Sequence, residues 1–117
     1  MKRALILIGL AVLSLGLAQK PKVVIGTGST GGVFFYYGTA MADILNKAGA
    51  VEAQPVQTGG SYDNLQLLRD RTSGNTYYCA LTTTDSAYVA YTGEEPRFKD
   101  KPAKNQRVLF YMYPSFI

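Results

Sequence analysis

The sequence of 117 residues contains no histidine and a single cysteine, and these two scarcities exclude several kinds of chemistry. Without histidine, neither a Ser-His-Asp triad nor a Cys-His pair can be assembled. The commonest protein ligand of transition metals is also missing, so a zinc site is close to excluded. Because Cys79 has no second cysteine to pair with, the chain forms no internal disulfide.

Basic charge is scarce and diffuse. Removing Lys2 and Arg3 from the twelve basic residues leaves ten, against eight acidic residues. The densest basic stretch, residues 97–104, is interrupted by Asp100 and Pro102. Such a stretch is typical of a solvated loop rather than of a nucleic-acid-binding patch. No nucleic-acid partner is therefore predicted.

The apolar run at the amino terminus is too short to cross a bilayer. Residues 4–17 form about 14 apolar positions, against roughly 20 for a membrane-spanning helix. Lys2 and Arg3 precede the run, and Gly16-Leu17-Ala18 supplies small residues at the cleavage-site positions. This order predicts a cleavable signal peptide over residues 1–18. The mature protein is expected to be periplasmic or otherwise extracytoplasmic.

Strand and helix patterns alternate along the mature chain. The pattern predicts strands over residues 22–26, 51–57, 77–83 and 107–113. It predicts helices over residues 33–47, 62–69 and 87–91, and a polar loop over residues 92–106. A repeating order of strand, loop and helix indicates the α/β class, with a mostly parallel sheet flanked by helices. Because the last predicted strand has no covering helix, we expect an incomplete domain that belongs to a longer protein.

Three loops rich in glycine and hydroxyl side chains follow the first three predicted strands, over residues 27–32, 58–61 and 84–86. In an open α/β sheet, such loops share the carboxyl edge, where ligands bind. Backbone N–H groups and hydroxyls at helix N-termini form a neutral cradle rich in donors, which suits a carboxylate. Helix capping and tight turns account equally well for any one of these residues. The convergence of three loops is what indicates a binding site.

The first loop also fits a dinucleotide fingerprint. Residues 26–31 read Gly-x-Gly-x-x-Gly after a strand, and Glu52 follows near the second strand as a candidate ribose ligand. An exported protein meets little nicotinamide cofactor, however, and Ser29 and Thr30 add hydroxyls that a pyrophosphate turn does not need. A fragment of a Rossmann-type, nucleotide-dependent oxidoreductase is the alternative interpretation.

Two further motifs are not matched by the first loop. A phosphate-binding P-loop requires lysine after its last glycine, where the chain has Val33. A nucleophile elbow requires glycine two positions before its serine, where the chain has Thr27. A base for Ser29 would have to be a lysine, and the spacing assigns none.

Three segments resemble the TAXI family, the extracytoplasmic solute receptors of TRAP transporters. They are residues 27–33, 58–65 and 84–91, which read TGSTGGV, TGGSYDNL and TDSAYVAY. The predicted signal peptide and the closing LFYMYP of residues 109–114 fit the same family. The resemblance extends over nearly the whole mature chain. One departure is the stretch of residues 70–78, which is longer and more polar than the expected turn.

The resemblance implies a periplasmic-binding-protein-like fold of two lobes that close on a small carboxylate or amino acid such as glutamate. Residues 19–117 would form a partial amino-terminal lobe, and TRAP-type membrane permease subunits would receive the solute. No catalysis, cofactor or metal is implied. By position, the resemblance implies ligand-binding roles for Thr27, Ser29, Thr30, Gly31, Gly32, Thr58, Gly59, Gly60, Ser61, Asn64, Thr84, Asp85 and Tyr88.

Overall fold

A computed structural model describes residues 19–71 and 74–114 of the chain; the predicted signal peptide, residues 1–18, lies outside them. Strands and helices alternate as β1 Lys22–Gly26, α1 Val33–Ala48, β2 Glu52–Val56, α2 Ser61–Asp70, β3 Thr76–Ala80 and α3 Thr84–Thr92, followed by a short 3-10 helix Pro96–Phe98. No helix in this part of the chain has the length and apolar character that crossing a membrane requires. The predicted α/β class is confirmed, and the architecture is consistent with a partial periplasmic-binding-protein-like lobe.

The three strands form one parallel sheet in the order β2-β1-β3. Lys22 at the start of β1 lies opposite the first residue of each neighbour, and Gly26 lies opposite the last. The strands therefore begin and end together. All three carboxyl ends lie at one edge of the sheet, as the sequence predicts, and the loops that follow them start from that edge.

Neighbouring residues of β1 place α1 and α2 on opposite faces of the sheet. Ile25 is buried and packs with Ala42 of α1 and Ala53 of β2. Gly26 faces the opposite side of the sheet from Ile25, because successive residues of a strand alternate between faces. A Cβ added there would lie 2.6 Å from Oδ1 of Asn64, which belongs to α2. The sheet is thus covered on both sides, which suits an apolar parallel strand.

The carboxyl end of α1 is fastened to β2 by Asn46. Its Nδ2 donates to the carbonyl of Ala53 at 2.9 Å, and the N–H of Ala53 donates to Oδ1 at 2.7 Å. Gly49 then ends the helix in the left-handed conformation, with φ of 77°. This amide pair fixes α1 on the sheet at the amino edge, away from the loops.

The stretch after α3 contributes to the core, although the sequence predicts a polar loop over residues 92–106 that is solvated over residues 97–104. Phe98 and Ala103 are buried, and they pack with Leu65 of α2 and Ala90 of α3. The guanidinium of Arg69 lies 5.0 Å from the centre of the Phe98 ring. That prediction is wrong at these two positions, because two apolar residues among many charges do not form a recognisable period.

The side chain of Arg69 also holds the stretch after α3 by bonding to the backbone carbonyls of that stretch. Nη1 of Arg69 donates to the carbonyls of Arg97 and Lys101, each at 3.1 Å. Its remaining N–H groups donate to the carboxylate of Asp70, and Lys101 Nζ lies 3.0 Å from the same carboxylate. The hydrogen bonds from Arg69 and then Lys101 hold the pKa of Asp70 well below its ordinary value. Because Asp70 and Lys101 are exposed, the ion pairs that they form fix the path of the chain more than they stabilise the fold.

The predicted fourth strand over residues 107–113 is not a strand in the structure. Val108, Leu109, Phe110 and Tyr111 are all exposed. A strand forms when a neighbouring strand pairs with its backbone groups, and no strand among the described residues lies beside residues 107–113. The segment is fixed near its end by Tyr113, whose ring stacks on that of Tyr37 at 5.3 Å.

Candidate functional site

Three loops lie together at the carboxyl edge of the sheet, two of them in direct contact and the third bonded to the helix between them. We name them loop 1 (residues 27–32), loop 2 (residues 57–60) and loop 3 (residues 81–83). The N–H of Thr58 in loop 2 donates to the carbonyl of Gly28 in loop 1 at 3.3 Å. The N–H of Thr83 in loop 3 donates at 3.2 Å to the hydroxyl of Ser61, the first residue of α2. The three loops predicted from the sequence therefore lie at one edge of the sheet.

Two boundaries differ from the sequence prediction. β3 ends at Ala80 and α3 begins at Thr84, so Thr84 and Asp85 belong to the first turn of the helix rather than to the loop before it. Ser61 likewise lies inside α2, whose N-cap is Gly60. Both shifts bring side chains that were predicted to lie in loops onto helix ends, where their positions are better defined.

The thirteen candidate residues separate into two layers by exposure. Seven residues are exposed and form the outer layer, namely Ser29, Thr30, Gly31, Gly59, Thr84, Asp85 and Tyr88. Four partly exposed residues lie between the two layers, namely Gly32, Thr58, Gly60 and Ser61. Thr27 and Asn64 form the inner layer, and each is 0% exposed. A ligand arriving at this edge would therefore meet loop 1 and the start of α3 first.

The inner layer directs its hydrogen bonds into the protein. The hydroxyl of Thr27 donates to the carbonyl of Val56 at 2.7 Å. The amide of Asn64 donates to the carbonyls of Thr27 and Leu81, each at 2.6 Å. Among the described residues, every buried side-chain nitrogen and oxygen has a hydrogen-bond partner within the protein. Neither Thr27 nor Asn64 reaches the surface of the edge.

The N-terminus of α1 is free of negative charge. Its N-cap is Gly32, no side chain caps it, and its first turn contains no acidic residue. The first N–H groups of an α-helix have no partner within the helix, and the helix dipole adds partial positive charge there. The exposed hydroxyls of Ser29 and Thr30 lie in the loop just before this end. Loop 1 and α1 together therefore offer donors to an anion.

The N-termini of α2 and α3 carry carboxylates of the chain itself. Oδ2 of Asp63 accepts a hydrogen bond from the N–H of Gly59 at 2.9 Å, so an anion already occupies the start of α2. Asp85 lies in the first turn of α3. The Thr83 hydroxyl, and then the backbone N–H of Ser86, lower the pKa of Asp85 and favour its ionised form. The edge therefore offers hydrogen-bond donors at the start of α1 and an exposed carboxylate at the start of α3.

An open groove of about 400 Å³ begins at loop 1. It runs from Gly31 and Gly32 along α1 and is lined further on by Phe35, Tyr36, Thr39, Ala40 and Asp43. A second groove, of about 350 Å³, lies near Lys22 and Glu52. Since those residues begin β1 and β2, that groove is at the opposite edge of the sheet from the loops. Only the first groove adjoins the candidate site.

The dinucleotide interpretation loses its acidic partner in this fold. Glu52 is the first residue of β2 and pairs with Lys22 at the amino edge. Loop 1 lies at the carboxyl edge, about 13 Å away at the rise of a parallel strand. The carboxylate of Glu52 is therefore not placed to bind the ribose of a nucleotide held by loop 1.

Metal and thiol chemistry find little support in residues 19–71 and 74–114. No group of three or more Asp, Glu or Cys side chains in these ranges could hold a metal ion. Cys79 in β3 is free, and its burial raises the pKa of the thiol. A raised pKa lowers the fraction of thiolate, which is the nucleophilic form.

Comparison with known protein families gives one match. The model of the NMT1-like family matches residues 25–117, a range that contains all three loops. This family belongs to the superfamily of periplasmic and ABC-type substrate-binding proteins, which are extracytoplasmic and non-enzymatic. No curated protein matches the chain.

Proposed function

This chain belongs to the NMT1-like family, and we propose that it is the amino-terminal lobe of a periplasmic receptor that binds an amino acid such as glutamate. The family supports the general role of an extracytoplasmic substrate-binding protein. The resemblance of residues 27–33, 58–65 and 84–91 to TAXI receptors supports the finer one, delivery of the solute to TRAP-type permease subunits. Residues 1–18 would be the signal peptide that exports it.

The opposite electrostatic character of two helix N-termini carries the proposal. The start of α1, with Ser29 and Thr30 beside it, offers donors and contains no acid. The start of α3 presents the exposed, ionised carboxylate of Asp85. An amino acid carries one carboxylate and one ammonium group. We assign its carboxylate to loop 1 and its ammonium group to Asp85, with the ring of Tyr88 beside them as a wall.

Closure of a second lobe would complete the site. Hydrogen bonds to a charged group contribute roughly 1.5–3 kcal/mol each, and they strengthen when water is excluded from around them. An open edge gives little such exclusion, so one lobe would bind weakly. Hinge closure in the complete receptor would bury the solute between both lobes before its release to the permease.

Replacing both Ser29 and Thr30 with alanine is expected to weaken binding of L-glutamate by at least tenfold. The double variant removes two exposed hydroxyls beside the start of α1, and the loss of each donor to a carboxylate has an effect of this order. Titration of the labelled chain with L-glutamate, followed by NMR shifts of residues in loop 1, measures the dissociation constant in the weak range that a single lobe requires.

Thr92→Ala is the matched control for this experiment. The hydroxyl of Thr92 donates to the carbonyl of Tyr88 at 3.1 Å, at the carboxyl end of α3. Its loss therefore removes a hydroxyl at the end of α3 that is farther from the loops. Unchanged affinity in the Ser29 and Thr30 double variant would refute the assignment of loop 1. Binding of NAD without binding of glutamate or a dicarboxylate would favour the oxidoreductase alternative.

Asp85→Asn is expected to separate ligands by their amino group. The substitution keeps the shape of the side chain and removes its charge, so L-glutamate should bind about tenfold more weakly. Glutarate lacks the ammonium group, and it should bind to the variant at least as well as to the parent chain. Paired titrations with the two compounds measure this difference.

Asp100→Asn controls for the general change in charge, because Asp100 is exposed and takes part in none of the ion pairs among the described residues. Equal weakening of both ligands by Asp85→Asn would remove the ammonium contact from the proposal, while leaving the carboxylate contact at loop 1 in place.

A further inference from the structure

We propose that Asn64 is a positioning residue that joins the three loops of the carboxyl edge into one rigid unit without touching the ligand. The resemblance to TAXI receptors implies a ligand contact at this position, and the structure gives the side chain a different set of partners. The consequence for affinity rests on the proposed function, whereas the consequence for the loops does not.

The side chain of Asn64 contacts each loop through its own hydrogen bond. Nδ2 donates both of its hydrogens, one to the carbonyl of Thr27 in loop 1 and one to the carbonyl of Leu81 in loop 3, each at 2.6 Å. Oδ1 lies 2.8 Å from the hydroxyl of Thr58 in loop 2. With both amide hydrogens donated and no exposed surface, the side chain has no donor left for a solute.

Thr58 extends this connection along the backbone of loop 2. Its hydroxyl accepts a hydrogen bond from the N–H of Gly60 at 3.2 Å, and its own N–H donates to the carbonyl of Gly28 at 3.3 Å. One amide therefore holds two loops directly and the third through a hydroxyl. A shift of any one loop would be resisted by the other two.

The site accepts an amide and little else. Leucine would fill the same space but leave the carbonyl of Leu81 buried without a donor and that of Thr27 with the Thr58 hydroxyl alone, 3.1 Å away, which is costly. Aspartate would direct negative charge at the same two carbonyls. The tight fit is also visible at Gly26, since a Cβ there would lie 2.6 Å from Oδ1 of Asn64. The requirement is for two donors and one acceptor in a fixed plane.

Two backbone amides report on loop coupling without any ligand. The N–H of Thr58 bonds to loop 1, and the N–H of Thr83 in loop 3 bonds to Ser61 of α2. In the chain with Asn64→Ala, we expect hydrogen exchange at both amides to accelerate by at least tenfold relative to the exchange of α1 and β2 amides. In Asn46→Ala, the matched control, acceleration should be confined to Ala53, which loses its acceptor.

Thr58→Val provides a second variant if the alanine variant does not fold. It removes the hydroxyl that lies 2.8 Å from Oδ1 of Asn64 and 3.1 Å from the carbonyl of Thr27, while keeping the shape of the side chain and leaving the bonds of Nδ2 in place. Exchange should then accelerate at Thr58 and remain unchanged at Thr83. Equal exchange at both reporters in parent and variants would overturn the proposal.

Titration with L-glutamate distinguishes a positioning residue from a residue that only stabilises the fold. At a temperature at which circular dichroism shows all chains folded, Asn64→Ala should weaken binding about tenfold, and Asn46→Ala should leave it unchanged. Faster exchange with unchanged affinity would overturn the positioning role. If the parent chain binds no glutamate, the proposed function fails, and the exchange result alone decides whether Asn64 joins the loops.

Discussion

Phe98→Ala is expected to lower the free energy of unfolding by about 3–5 kcal/mol, the usual cost of removing a fully buried phenylalanine ring. Phe98 is 0% exposed and packs with Leu65, Ala90 and Ala103. The variant also loses the surface on which the guanidinium of Arg69 rests. Urea unfolding of parent and variant, followed by circular dichroism, measures the difference.

Phe110→Ala is the matched control for this result. It makes the same substitution in the exposed segment after the core, where Phe110 is 59% exposed. Its expected cost is below about 0.5 kcal/mol, as for most surface positions. If Phe98→Ala costs no more than Phe110→Ala, the stretch after α3 does not belong to the core, and the packing that supports α3 would have to come from elsewhere.

Gly38→Ala is expected to destabilise the chain by up to about 2 kcal/mol. Overpacking a core costs about 1–3 kcal/mol, and alanine regains roughly 1 kcal/mol over glycine within a helix. A Cβ on Gly38 would overlap Cγ2 of Thr27 in loop 1. Thr27 cannot turn away without cost, because it is β-branched and its hydroxyl is bonded to the carbonyl of Val56. Urea unfolding again provides the measurement.

Thr27→Ser should rescue this variant. It removes Cγ2 and keeps the hydroxyl, and the atoms that would then lie nearest to the new Cβ are at ordinary distances of 3.5 Å and 3.6 Å. Gly38→Ala should therefore be neutral or stabilising when residue 27 is serine. A double-mutant cycle gives the coupling directly. An equal cost of Gly38→Ala in both backgrounds would show that the contact with Thr27 is not the cause.

The two variants act on separate parts of the lobe that meet at the candidate site. One buried cluster, around Ile25 and Ala42, supports α1 and the donors of loop 1. The other, around Phe98 and Ala90, supports α2 and α3 and hence the carboxylate of Asp85. The sheet lies between them, and Asn64 connects the loops across its edge. The position of the start of α1 relative to the start of α3 therefore depends on both clusters.

The sequence by itself determined three strands, three helices and the edge of the sheet at which the candidate loops lie. The apolar run of β1 and the periods of the helices are local patterns, and they are correct to within a few residues for all three helices and three paired strands. The glycine and hydroxyl loops follow strand ends, and parallel strands bring their carboxyl ends to one edge. These predictions succeed because they depend on neighbours in the chain.

Only the tertiary structure decided what each residue does there. Residues 107–113 have the composition of a strand, but a strand requires a partner that local sequence cannot supply. Phe98 becomes part of the core because the distant residues Leu65 and Ala90 lie beside it. The sequence predicts the same ligand-binding role for Asn64 and Ser29. In the structure, Asn64 is buried and donates its amide hydrogens to carbonyls, whereas Ser29 is exposed. Burial and hydrogen-bond partners are set by residues far apart in the chain, so they emerge only when the chain is folded.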